Sequence, residues 1–213
     1  MKFVHPSTWI VAGPTGSGKT QWVAEVMRHK YIEPAPERII WVYGEWQPLY
    51  EKIQLFLPQI EFVTALSDSL YDSLDPKKAN LLVLDDQMNE MGDSKLLANY
   101  FTKGSHHRGL SIIYIVQNIF NKGKAQRTAS LNTQYMVLFK NPRDAAQIEA
   151  LGRQMFPNSP KYLSNVFADA TVKPYSYLLI DLRPETPEDY RLRAALLPSD
   201  GQPNPIVYKQ KNK

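Results

Sequence analysis

Short runs that are apolar at every position alternate along this chain with stretches in which apolar residues recur every three or four positions. Trp9-Ile10-Val11-Ala12 is the first run, and it stops at a glycine. Further runs cover residues 38–43, 81–84, 111–116 and 135–139, and a late one covers 175–182. Runs without alternation predict strands buried on both faces. Helical spacing falls between them. Trp22, Val23, Val26 and Met27 mark a helix over 19–29, and Leu49, Ile53 and Phe56 share one face over 48–57. Leu96, Leu97 and Phe101 point inward over 94–103, and a further helix covers 143–155. The alternation predicts an α/β fold, with a mostly parallel sheet and helices on both faces. The composition then shifts, with Pro184, Pro187, Pro198, Pro203 and Pro205 beside charged and polar residues. The expected organisation is one domain over 1–183 and a proline-rich extension over 184–213 that packs no compact core. The extension ends in a basic tail, Lys209 to Lys213. No internal repeat is present.

At 213 residues the chain fits one α/β domain, and 43 % hydrophobic residues are enough for a core. The net charge of +4 is mild and compatible with a polyanionic partner. There are no cysteines, which excludes disulfides and thiolate metal sites and suggests a reducing compartment. The N-terminal stretch has no apolar run suited to a signal peptide. No window approaches the ~18 apolar residues of a membrane span, so none is expected.

The candidate chemistry begins where the first strand stops. Gly13-Pro14-Thr15-Gly16-Ser17-Gly18-Lys19-Thr20 is a complete Gly-x-x-x-x-Gly-Lys-Thr pattern, set between a predicted strand and a predicted helix. Gly16 and Gly18 allow turns closed to residues with a Cβ, which brings N–H groups up to phosphate oxygens. The helix start adds its positive end at the same place. Lys19 would reach the β- and γ-phosphates of ATP, and the Thr20 hydroxyl would ligate Mg²⁺. The run over 81–84 ends in Asp85 and Asp86. Asp85 suits the acid that holds the metal's water shell, and Asp86 suits a base that polarises an attacking water. A second acid of this kind separates the pattern from small-molecule kinases, which must exclude water.

Gln117, after the strand over 111–116, can hydrogen-bond a γ-phosphate or the lytic water. Ring NTPases bring an arginine to the neighbour's γ-phosphate, because charge builds up on the transferring group. Arg108, Arg127, Arg143 and Arg153 are the candidates, with Arg127 favoured and Arg108 next. His106 and His107 would point to opposite faces of an extended chain and have no third ligand nearby, so no zinc site is expected. The four tryptophans read as packing.

The phosphate loop, the stretch Leu81 to Asp86, and His106 to Asn118 together resemble the viral genome-packaging ATPases. The similarity is to the poxvirus and polinton-like branch of the FtsK–HerA superfamily. Arg127 to Asp144 and Leu151 to Pro157 share it, so the likeness covers roughly residues 8–160. It implies a RecA-like core and a ring homo-oligomer, pentameric or hexameric. It also implies ATP-driven translocation of double-stranded DNA, without sequence specificity, into a preformed capsid. Carried over by position, Gly13 to Thr20 bind nucleotide, Thr20 and Asp85 serve the metal, Asp86 serves the water, and Gln117 senses the nucleotide. Relatives often carry Glu where Asp86 stands. A capsid or portal-vertex protein is the implied docking partner, and the implied location is the assembling virion in the host cell or the virion itself. The basic stretches over 103–108 and 122–127 and the tail after Tyr208 are candidate DNA contacts. The alternatives are a virion-assembly or secretion ATPase acting on protein, and a P-loop nucleotide or small-molecule kinase.

Overall fold

The structure is a computed structural model that describes residues 2–85, 95–104, 108–119 and 129–210. The chain forms two compact units. The first holds residues 1–10, 20–116 and 120–133, and the second holds 11–19, 117–119 and 134–213.

The first unit contains the short strands β1 (Phe3–Val4) and β3 (Ile32–Glu33), which pair parallel. It also contains most of β2 (Thr8–Ala12), together with β4 (Arg38–Tyr43), β5 (Glu61–Val63), β6 (Asn80–Asp85) and β7 (Leu110–Val116). Their hydrogen-bonded order is β2-β7-β6-β4-β5. β4 is parallel to both β5 and β6, and β6 is parallel to β7. Every residue of β6 and of β7 is buried, as uninterrupted apolar runs require. Tyr43 pairs with Asp85, and Asp85 with Ile115, so these strands reach their carboxyl ends together.

The helix α1 (Lys19–Arg28) buries the Trp22, Val23, Val26 and Met27 stripe read from the sequence. Trp22 meets an aromatic layer in which the Phe3 and Trp9 ring centroids lie 4.3 Å apart and those of Trp9 and Trp22 6.2 Å apart. The helix α2 (Pro48–Phe56) forms where expected, but its buried face is Tyr50 and Ile53, with Leu49 and Phe56 only half-buried. The turn α3 (Asp68–Asp72) is capped by Ser67, whose Oγ accepts from Leu70 N–H at 3.0 Å. The helix expected over 94–103 is α-helical only as α4 (Lys95–Asn99). It then widens to a π turn over 100–104, which buries Tyr100 and Phe101.

The second unit contains the end of β2 with β8 (Tyr135–Phe139), β9 (Tyr177–Asp181), β10 (Leu192–Ala194) and β11 (Ile206–Tyr208), in the order β11-β10-β9-β8-β2. From β8 to β11 each neighbouring pair is antiparallel. Helices α5 (Ala145–Met155) and α6 (Tyr162–Ala170) pack against each other. Past Pro184, the chain joins this sheet. Leu192, Ala194, Leu196 and Leu197 are buried, so the expectation of no packing here does not hold for these residues. Asp200 secures the segment. It accepts from Tyr177 Oη at 2.7 Å and from Leu197 N–H at 2.8 Å. Proline forbids central ladder positions, yet these prolines fall between the short strands and leave the paired residues free to donate.

At the end of β9, Asp181 is fully buried. It accepts from Arg183 Nε at 3.0 Å and from Arg193 Nη2 at 2.5 Å, and the Arg183 guanidinium lies over the Tyr135 ring at 4.9 Å. Burial pushes the Asp181 carboxyl up, but hydrogen bonds from Arg183 and Thr186 outweigh it and hold the group below its ordinary value near 3.8. Asp181→Ala should cost about 3–5 kcal/mol in urea unfolding, because it leaves Arg193 buried without its counter-charge. A carboxyl held low stabilises the fold above its ordinary value and loses that contribution as pH falls through the folded value. Below about pH 4 the wild type should therefore lose stability faster than the variant, which acid titration of the melting temperature checks.

Candidate functional site

The phosphate loop is built as its residue types require. β2 is buried through Ala12, the chain turns, and α1 begins at Lys19. Gly16 has φ 78° and Gly18 has φ 96°, the left-handed region where a Cβ would collide with the backbone. Ser17 N–H donates to Pro14 O at 3.2 Å inside the turn. Lys19 folds back over the loop and donates from Nζ to Gly13 O at 2.7 Å and to Pro14 O at 2.9 Å. Its ammonium is thus held against the main chain of the loop. Ser17 Oγ is buried and has no hydrogen-bond partner among the described residues. An acceptor oxygen in the loop would satisfy it.

In the first unit, Asp85 ends β6 and is 3 % exposed. Its Oδ2 accepts from the Tyr50 hydroxyl at 3.0 Å. Tyr50 itself is wedged among Trp41, Tyr43, Trp46 and Phe62, with centroids 5.2–5.7 Å away. That packing fixes the ring, and the ring fixes one carboxylate oxygen. The sequence reading missed Tyr50, although its place three residues before Ile53 on α2 was the available signal. Asp86 lies outside the described residues, as do Arg127, His106 and His107.

Gln117 follows β7 and is exposed. Next to it Asn118 Oδ1 accepts from Asn141 Nδ2 at 3.4 Å, and the same Nδ2 donates to Asp144 Oδ2 at 3.0 Å. Asp144 is buried, which pushes its carboxyl up, while the Asn141 hydrogen bond pulls it down without cancelling the rise. This amide–acid cluster at the end of β8 was not anticipated from the sequence as a unit.

Arg108 is engaged elsewhere in its own unit. It pairs with Asp72 at 3.7 Å, donates to Leu74 O at 3.3 Å, and lies over the Tyr71 ring at 5.2 Å. It precedes β7, so it stands at the opposite end of the parallel strands from Asp85. Arg143 is exposed, and Arg153 bridges Glu149 at 3.9 Å on the surface of α5. In the tail, Lys209 pairs with Asp189 at 3.7 Å and lies over the Tyr190 ring.

Within the first unit, Thr20 and Asp85 are oxygen donors of the kind that suits a hard cation. A hydroxyl at Thr20 and a carboxylate at Asp85 offer oxygen alone. No cluster of three His, Cys, Asp or Glu exists among the described residues, so a full protein cage is absent there. No helix of the described residues is long and apolar enough to cross a membrane.

No family model matches the chain, and no curated protein matches it. Solved structures do. The genome packaging NTPase B204 from Sulfolobus turreted icosahedral virus 2, in complex with ATP-gammaS, superposes with a TM-score of 0.58 at 15 % identity. The match covers 84 % of this chain and 94 % of that one. The same protein in complex with AMP gives 0.57 at 13 % identity, over 88 % and 96 % of the two chains. The DNA-packaging ATPase B204 from Sulfolobus turreted icosahedral virus gives 0.52 at 13 %, over 83 % and 92 %. The fold is that of a RecA-like P-loop NTPase. At these identities the likeness speaks for the fold.

Gly18→Ala should uncouple the loop from the fold. A Cβ at φ 96° is strained wherever it points, and it would also stand 3.4 Å from the Tyr175 ring. We expect binding of a fluorescent ATP analogue to fall at least tenfold, with about 1–3 kcal/mol of destabilisation. Unchanged binding would show that the loop geometry is not needed.

Proposed function

We propose that this chain is an Mg²⁺-dependent ATPase that translocates double-stranded DNA and packages a viral genome into a preformed capsid. The observation that carries the reading is the phosphate loop. It has the complete motif, two left-handed glycines and a lysine held at its rim, on a fold shared along nearly the whole length of a viral genome-packaging NTPase.

The roles follow from charge. A triphosphate brings its negative charge to one end of a small molecule, and the loop N–H groups with the bare start of α1 offset it. Lys19 exchanges the carbonyls of Gly13 and Pro14 for the β- and γ-phosphates. Thr20 and Asp85 would hold Mg²⁺, which when bound neutralises charge that develops on the transferring group. The hydrogen bond from Tyr50 orients the Asp85 carboxylate for that task. Asp86 takes a proton from the attacking water, and Gln117 orients that water or reads the γ-phosphate. Arg127, or else Arg108, reaches the γ-phosphate of the next subunit in a ring of five or six. For Arg108 this means leaving Asp72 and Tyr71, contacts made within its own subunit. The working partners are double-stranded DNA and a capsid or portal-vertex protein, at the assembling virion.

A motor that passes any sequence grips phosphates and not base edges. Long double-stranded DNA should therefore stimulate ATP turnover, with affinity that falls steeply with salt and hardly varies with sequence. Lys19→Ala should abolish turnover in a folded protein. Asp86→Asn should bind Mg-ATP but lose about 10²–10⁴-fold in rate, while Asp85→Asn should mainly raise the Mg²⁺ requirement. Transfer of phosphate to a small acceptor, without DNA stimulation, would favour a kinase instead. Mixtures of Lys19→Ala and Arg127→Ala subunits should regain turnover at junctions of intact loop and intact finger. Co-assembled mixtures that stay silent would place Arg127 outside the neighbour's site.

A further inference from the structure

A phosphate loop holds only one end of a nucleotide. Against residues 14–17, and within the second unit, lies an open pocket of about 440 Å³. That volume is in the usual range for small-molecule sites. Its other walls come from Phe139 at the end of β8, from Lys140 and Pro142 after it, and from residues 172–176 between α6 and β9.

Tyr175 stands out among them. Ser176 N–H donates to Lys173 O at 3.2 Å, which closes a four-residue turn with Pro174 second and Tyr175 third. Tyr175 has φ 63°. A third turn position with positive φ normally falls to Gly or Asn, because a Cβ there crowds the backbone. The fold does not offset this strain by burying the ring, since Tyr175 is 71 % exposed. The ring instead lies against the loop, 3.4 Å from where a Cβ on Gly18 would stand. Strained conformations of this kind collect at ligand clamps.

We propose that this pocket receives the nucleobase and ribose, that the base stacks on the Tyr175 ring, and that purine triphosphates enter with little regard to which base they carry. The proposal rests on the nucleotide reading above and extends it to selectivity. Stacking tolerates any base, because every base has a π-face. Strong rejection of one base needs side chains built to hydrogen-bond another. Among the described residues, the side chains that line the pocket include no carboxylate, carboxamide or guanidinium. Pro142, Val172 and Pro174 supply apolar contact, while Lys140 and Lys173 supply positive charge without an acid among the lining residues.

The test is a binding series on the full chain with ATP, GTP and inorganic tripolyphosphate. Tyr175→Gly removes the ring and relieves the turn, so thermal stability should hold or rise. Affinity for ATP and for GTP should each fall about 5- to 100-fold, the range for loss of one base–aromatic stack. Affinity for tripolyphosphate should not change, and Tyr175→Phe should behave as wild type. Nucleotide affinity untouched by Tyr175→Gly would overturn the proposal. So would an equal loss for tripolyphosphate, or a wild-type preference for ATP over GTP beyond about 100-fold. Wild-type protein that binds neither nucleotide nor tripolyphosphate would instead remove the phosphate-loop reading, and this one with it.

Discussion

Main-chain N–H groups can hold a polyanion only where the chain has stopped pairing them with itself. In the stretch from β2 into α1 one such pairing remains, Ser17 N–H to Pro14 O at 3.2 Å, and the glycines around it set the turn. β2 is buried to its last residue, so the turn starts from a rigid support. Two glycines then take left-handed conformations that no other residue adopts without strain. At the far end α1 carries no acid in its first turn. By contrast, α2 has Glu51 in its first turn, and α3 has Asp68 together with a Ser67 cap. No acid of that turn offsets the positive end of α1, and a lysine begins it. Such a concentration of positive charge would be destabilising alone. Lys19 is tolerated because the carbonyls of Gly13 and Pro14 accept from its ammonium.

The same logic explains which parts of the fold were legible in the sequence. Runs buried on both faces leave an uninterrupted apolar signature, and β2, β4, β6, β7 and β8 fall on the predicted runs to within a residue or two. The stripe of α1 was equally plain. The inward face of α2 was not, because it turns on Tyr50, whose hydroxyl marks it as polar in a hydrophobic pattern. That hydroxyl can be buried because it donates to the Asp85 carboxylate. Past Pro184, composition misled for a related reason. Short strands separated by prolines carry too few apolar residues to register as periodic, yet β10 pairs with β9 over two residues and with β11 over three, and Leu192 and Ala194 are buried. What helps hold them is a few placed polar groups, Asp200 and Asp181 above all, whose partners are both local, as Leu197 and Arg183, and more distant, as Tyr177 and Arg193.

The candidate site divides in the same way. Gly13 to Thr20 could be read directly, because backbone chemistry demands those residues at that spacing within eight positions. Asp85 could be read because a buried strand that ends in an acid is rare without cause. The cluster of Asn118, Asn141 and Asp144 could not, since three common polar residues from two segments have no spacing rule. Arg108 shows the converse. A basic residue beside a strand invites a functional reading, while its geometry gives it a structural occupation between Asp72, Leu74 and Tyr71.

A nucleotide poses two different recognition problems, and the chain treats them differently. Phosphates are alike in every nucleotide, so they can be met by main chain, whose geometry is written locally in glycines. A base is a flat, weakly polar surface and must be met by a side chain set at a chosen height beside the loop. Within the second unit that side chain comes from a turn more than 150 residues after the loop in sequence, as Tyr175 follows Lys19. Nothing about Lys173-Pro174-Tyr175-Ser176 distinguishes it from any surface turn until φ is known. A tyrosine where glycine would fit better is a local cost without local benefit. In a minimally frustrated fold such a conflict is expected where function, rather than packing, sets the residue.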